Sequence, residues 1–66
     1  MDALTSELIS EIKIRLSPEE SVAFENNIEN SQFRQAYLIL EKMKKNGKLS
    51  EELEKNIEHF WWKYAN

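Results

Sequence analysis

The stretch EIKIRLSPEE, residues 11–20, decides the fold, because its first half can be read in two incompatible ways. Ile12, Ile14 and Leu16 alternate with Lys13 and Arg15, the period-two pattern of a strand with one buried face. Ile12 and Leu16 also complete the series Leu4, Leu8, Ile9, Ile12, Leu16, whose steps of three and four mark one stripe of an amphipathic helix. The rest of the chain contains no second alternating run, and a strand without a partner leaves its backbone N–H and C=O groups unsatisfied. The helical reading therefore prevails, with Ile14 left off the stripe. The second half of the stretch sets the boundary. Ser17 is suited to cap a new helix, Pro18 fits the first helical position because its missing N–H costs nothing there, and Glu20 completes a capping box. One helix is predicted over residues 3–16 and a second over residues 18–30.

Outward from this junction the same logic yields two more helices. The second carries Val22, Ala23, Phe24 and Ile28, with Phe24 and Ile28 one turn apart on a thin buried stripe and one flank solvated. Asn30 and Ser31 interrupt the pattern and are expected to cap a third helix over residues 32–46. There Phe33, Ala36, Tyr37, Leu40 and Met43 share a face, widened by Leu38 and Ile39, which predicts the most buried helix of the four. Asn46-Gly47 stops it, and Lys42, Lys44 and Lys45 complement the negative end of its dipole. Ser50 caps a fourth helix over residues 50–64, with Glu51 and Glu52 in the first turn. Leu53, Ile57, Phe60, Trp61 and Tyr64 follow its inner face. Adjacent helical residues point about 100° apart, so Trp61 in the core puts Trp62 at the edge of that face or outside it. The expected fold is all-α, a compact bundle of four short helices in a single domain over residues 1–66, its short connections favouring antiparallel or orthogonal neighbours.

Composition narrows the function more by exclusion than by indication. At 41% apolar and 32% charged residues, the chain suits a compact helical domain better than a disordered segment. Without cysteine it has no disulfide scaffold, thiolate metal site or thiol nucleophile. No stretch approaches the roughly 18 consecutive apolar residues of a membrane span, and the start MDALTSELISE lacks the basic and apolar regions of a secretory signal, so the expected location is cytoplasmic, with no membrane partner. Net charge is −3 and unevenly spread: residues 1–31 sum to −5, residues 32–48 to +4 and the remainder to −2. An acidic end and a smaller basic patch follow.

Individual residues sharpen this into candidate sites. His59 has Lys55, Asn56 and Lys63 one turn away, none a metal ligand that would complete a helical pair, and it is read as solvated. No cofactor, metal or catalytic constellation is expected, and the chain is read as non-enzymatic. Glu19, Glu20, Glu25 and Glu29 form an acidic cluster, with Glu25 and Glu29 one turn apart and no lysine between them to relieve their repulsion. Such a cluster is either a solvated face or a surface for a basic target. Trp62 is either cover for the end of the first helix and the loop before it or an aromatic anchor for a partner. Gln32, Arg34, Gln35 and the lysines at 42, 44, 45 and 48 would serve a helix-turn-helix reading base edges and phosphates, but the third helix looks apolar on too many sides to enter a groove.

The run LSPEESVAFENNIENSQFRQAYLILEKM, followed by LSEELEKNIEHF, resembles the small helical immunity proteins of the Maf type. The correspondence is carried by the Ser17–Glu20 cap, the acidic turn from Glu29 to Ser31, Phe33 with Ala36 and Leu40, and the second cap from Ser50 to Leu53. It implies a non-enzymatic protein that neutralises a toxin by covering its active site. The leading expectation is therefore a module that inhibits or sequesters a protein partner with a basic surface, an immunity protein for a nucleic-acid-directed toxin in its specific form. Glu19, Glu20, Glu25, Glu29 and Trp62 are the contact residues under this expectation. A helix-turn-helix regulator is the first alternative. A structural module that pairs through Trp62 and the edge of the fourth helix, hiding Ile14 in a homodimer, is the second.

Overall fold

A computed structural model describes residues 1–47 and 49–66; Lys48 lies outside the described residues. The chain forms four helices, α1 (Ala3–Arg15), α2 (Pro18–Glu29), α3 (Phe33–Lys45) and α4 (Glu51–Phe60), and α4 runs on into a π-helical turn, Trp61–Ala65. Among the described residues there is no strand, so residues 12–16 end a helix as the capping argument requires. Each helix packs on its neighbours in the order α1–α2–α3–α4, and α4 closes the ring against α1. α2 and α4 thus occupy opposite corners. The shortest extent, 18 Å, is two helices deep.

Local chemistry fixes the starts of three helices. Asp2 caps α1, Ser17 caps α2 and Ser50 caps α4, each accepting a bond from the backbone N–H three residues on. Ser17 also donates to the Glu20 carboxylate at 3.0 Å, a variant of the expected capping box. α3 differs. Neither Asn30 nor Ser31 caps it, and Gln32, at the cap position, makes no side-chain bond. Instead Ser31 adopts φ 58° and closes α2: its N–H donates to the Ile28 carbonyl, while Gln32 N–H donates to the Asn27 carbonyl at 2.7 Å. This is a Schellman turn, normally built on glycine. Gly47 holds φ 68° after α3, as its position predicts.

Leu8 and Ile12 from α1, Phe24 from α2, Ala36, Leu40 and Met43 from α3, and Leu53, Ile57 and Phe60 from α4 form one buried cluster that also takes in Ala65. Several apolar residues expected inside stand elsewhere. Thr5, not Leu4, lines up with Leu8 and Ile12, so Thr5 is buried and Leu4 is 48% exposed. Leu38 points away from the interior, and α3 buries no more of its length than α4 does. α2 buries only Phe24 completely, consistent with its thin stripe. Trp61 is half-buried, packed on the rim of the core rather than within it.

The end of the chain departs most from simple periodicity. α-Helical geometry stops at Phe60, and the following turn widens until Asn66 N–H donates to the Trp61 carbonyl at 2.7 Å, five residues back. The wider turn lets the aromatic residues settle against α3. Phe33 meets Phe60 edge-on at 6.1 Å between centroids and Tyr64 at 5.2 Å, and Tyr37 meets Trp61 at 4.8 Å. Arg34 Nε donates to the Ala65 carbonyl at 3.0 Å, holding one of the carbonyls that the end of the helix leaves open.

Candidate interaction surfaces

The four acids of α2 are distributed between structural and free roles. Glu20 is engaged by Ser17, and Glu25 is paired with Lys13 of α1 at 3.2 Å, so the repulsion expected between Glu25 and Glu29 is relieved from the neighbouring helix. Glu19 and Glu29 are exposed and without an ion-pair partner among the described residues. Each lies five residues from Phe24, about 140° around the helix from the buried side. Val22, two residues from Phe24, projects between them and is exposed.

Across the Lys13–Glu25 bridge stands Ile14. It follows Ile12 by two residues, about 200° around α1, and is 77% exposed, more than any other large apolar side chain described. Ile14 and Val22 thus flank one ion pair, with Glu19 and Glu29 toward the two ends of α2. An apolar centre within an acidic rim is the usual plan of a small recognition surface. Sequence reasoning named the acids but not this centre; the signal was available, since Ile14 fell off the stripe and Val22 off the Phe24–Ile28 line.

Trp62 is 64% exposed and does not join that surface. It sits on the turn after α4, diagonally across from α2. The acids and the tryptophan grouped by sequence therefore belong to two different faces. The outer face of α3 also differs from expectation. Arg34, Gln35, Lys42, Lys44 and Lys45 are all exposed there, with Leu38 the one large apolar residue among them at 66%. The helix is polar on its outer side and not apolar all round.

A further cluster ties the two ends of the fold together. Asp2 Oδ1 accepts from the Thr5 hydroxyl and the Tyr64 hydroxyl, both at 2.6 Å, while His59 Nε2 lies 3.0 Å from Oδ2 and Lys63 Nζ 3.7 Å from Oδ1. The hydroxyl of Thr5 leads, with those of Tyr64 and the imidazole of His59 adding to it, and together they hold the Asp2 carboxyl well below the usual carboxylate range against partial desolvation. The carboxylate can only accept, so Nε2 carries the proton in that contact. His59 is thus half-buried and bonded, not the solvated residue its helical neighbours implied; its partner lies 57 residues away in sequence.

None of these features assembles a reaction centre. The largest groove, about 350 Å³, runs between the start of α3 and the C-terminal turn. Its described lining includes Phe33, Arg34, Gln35 and Tyr64 but no carboxylate side chain, histidine or thiol. Among the described residues no group of three or more His, Cys, Asp or Glu could hold a metal ion, and no helix is long and apolar enough to cross a membrane. Comparison with protein-family models, with curated proteins and with solved structures finds no match.

Proposed function

We propose that the chain is a non-enzymatic protein-binding module that inhibits or sequesters its partner, and that it docks through the outer face of α1 and α2. The observation that carries this reading is Ile14, 77% exposed beside the Lys13–Glu25 bridge, with Val22, Glu19 and Glu29 around it. Apolar contact there would supply most of the affinity, and the acids would steer and orient a basic partner. The resemblance to Maf-type immunity proteins gives the proposal its specific form: the basic partner is the substrate-binding surface of a toxin that acts on nucleic acid, and the bound module covers it. The outer face of α3 keeps a DNA-binding alternative open. Glu19 and Glu20 at the start of α2 count against it, because in a helix-turn-helix the first helix crosses the phosphate backbone.

The test uses wild-type protein and an Ile14→Ser/Glu19→Lys/Glu29→Lys variant as baits, followed by titration of the purified captured partner. A basic partner is expected, bound at least about 30-fold more weakly by the variant and with a shallower salt dependence. Equal affinity and equal salt response for the two baits would remove the α1–α2 face from consideration.

A further inference from the structure

The face formed by α3 and α4, on the other side of the molecule's acidic surface, has features that the proposed function does not use. Contacts run Phe33 to Tyr64 and Tyr37 to Trp61, so residue numbers rise along α3 as they fall along α4, and the two elements are antiparallel. The Tyr37–Trp61 pair closes their seam, half-buried on both sides. The next residue on each element turns about 100° further from the core, and those residues are Leu38 and Trp62, 66% and 64% exposed. Two large apolar side chains therefore flank one seam at the same height. The charges beside them separate by helix. α3 presents Lys42 and Lys45 outward, while α4 presents Glu51 and Glu58.

We propose that this face binds a second copy of the chain in a two-fold dimer. A face with one basic and one acidic edge can meet its own copy in two symmetric ways. With the two-fold axis running across the helices, α3 would lie on α3 and α4 on α4, setting like charges together. With the axis running along the seam, α3 lies antiparallel on the partner's α4, and each basic edge meets an acidic one. Charge excludes the first arrangement and favours the second. The second also brings Leu38 and Trp62 into register: because they stand at one height beside the seam, Leu38 of one copy faces Trp62 of the other, twice over. A tryptophan packed on leucine within a charged rim is the usual composition of an interface centre. The α1–α2 face stays free in such a dimer, so the two proposals stand or fall separately.

The dimer predicts a pattern of pairing that no folding defect reproduces. Sedimentation equilibrium of the wild-type chain at low salt should show a concentration-dependent monomer–dimer equilibrium, weakened by added salt. Leu38→Ser and Trp62→Ser should each raise the dissociation constant at least about tenfold while leaving the helical circular dichroism and melting temperature essentially unchanged. The decisive comparison uses one chain with Lys42→Glu and Lys45→Glu and another with Glu51→Lys and Glu58→Lys. Each alone should be monomeric, since both of its contacts become repulsive, and an equimolar mixture should dimerise, since both contacts become attractive. A wild-type chain that stays monomeric up to millimolar concentration would overturn the proposal. So would charge variants that each dimerise alone, or a mixture of them that does not.

Discussion

The two halves of this bundle are built on different terms. In the α3–α4 half, Phe33, Tyr37, Phe60, Trp61 and Tyr64 contact one another ring to ring, and the π turn allows the last of them to reach back over α3. In the α1–α2 half there is no aromatic residue except Phe24, and α2 rests on that one fully buried side chain, helped by half-buried Ile28 and the Lys13–Glu25 bridge. Aromatic pairs contribute about 0.5–1.5 kcal/mol each beyond the area they bury, whereas an exposed ion pair contributes about 0.2–1 kcal/mol. Stability is therefore concentrated in one half, and the thinly held α2 is free to spend its surface on polar and charged residues. The half that holds the fold together and the surface proposed to bind a basic partner are largely separate.

Phenylalanine truncation breaks this comparison most strongly. Phe60→Ala removes a fully buried ring that touches both Phe33 and Tyr64, at a cost of about 4–5 kcal/mol, as much as a domain of this size has in total. The variant should lack a cooperative thermal transition. Phe24→Ala should cost about 3 kcal/mol and act locally. Amide exchange would accelerate throughout α2 while α3 and α4 keep their relative protection. Equal acceleration in both halves would show that the division drawn above is false.

Next in size is the link between the halves, centred on Asp2. Its carboxyl sits well below the ordinary 3.8 in the folded chain because the Thr5 and Tyr64 hydroxyls and His59 bond the ionised form. A depressed folded pKa means that the unfolded chain takes up the proton first. The stabilisation is therefore complete above about pH 4 to 5 and is lost progressively as pH falls below that. Asp2→Asn removes this dependence. The melting temperature of wild type should exceed that of the variant by several degrees at pH 7, and the gap should narrow toward pH 2. A gap that is constant with pH would mean that the charge on Asp2 contributes nothing.

What the sequence made legible divides along a related line. Ser17-Pro18-Glu19-Glu20 and Ser50-Glu51-Glu52 could be read because a cap is local, involving residues three apart and no knowledge of the rest of the fold. The stripe of α3 and the inner face of α4 were legible because burial of one face imposes a period. The Asp2 cluster and the Lys13–Glu25 bridge were not, since their members come from different helices and no periodicity connects them. The π turn was hidden for a different reason: Trp61 and Tyr64 fit an α-helical face on paper, and only packing against Phe33 and Tyr37 makes the wider turn preferable. Of the proposed contact residues, the acids were visible as a cluster, but their sharing between structure and surface was not.

Two turns make the same point measurable. Gly47 at φ 68° was expected from Asn46-Gly47, and open space surrounds the position its Cβ would take, so Gly47→Ala tests backbone strain alone and should cost about 1 kcal/mol. Ser31 at φ 58° occupies the equivalent position after α2 without being glycine. Ser31→Gly relieves about 1–2 kcal/mol of left-handed strain and loosens the unfolded chain by about 0.5–1 kcal/mol, a net gain of roughly 0.5 kcal/mol. Chemical denaturation should show opposite shifts in midpoint for the two variants with unchanged slopes.

The smallest effect comes from the α3–α4 seam. The Tyr37 hydroxyl donates to the Glu41 carboxylate, and that bond, with burial and the nearby charges of Glu41 and Glu58, pushes its pKa up to about 12 from the ordinary 10.0. Here the folded pKa is raised, so the stabilisation is present in full below about pH 10 and disappears as pH climbs toward 12. Tyr37→Phe keeps the ring against Trp61 and deletes only the hydroxyl. The half-buried Glu41 regains water in its place, which limits the loss at pH 7 to about 0.5 kcal/mol. A larger loss at pH 7 would mean that the bond, and not the Tyr37–Trp61 contact, holds the seam closed. A loss of similar size that disappears above pH 11, read from denaturation midpoints across that range, would assign the packing to the rings and only the alkaline dependence to the hydroxyl.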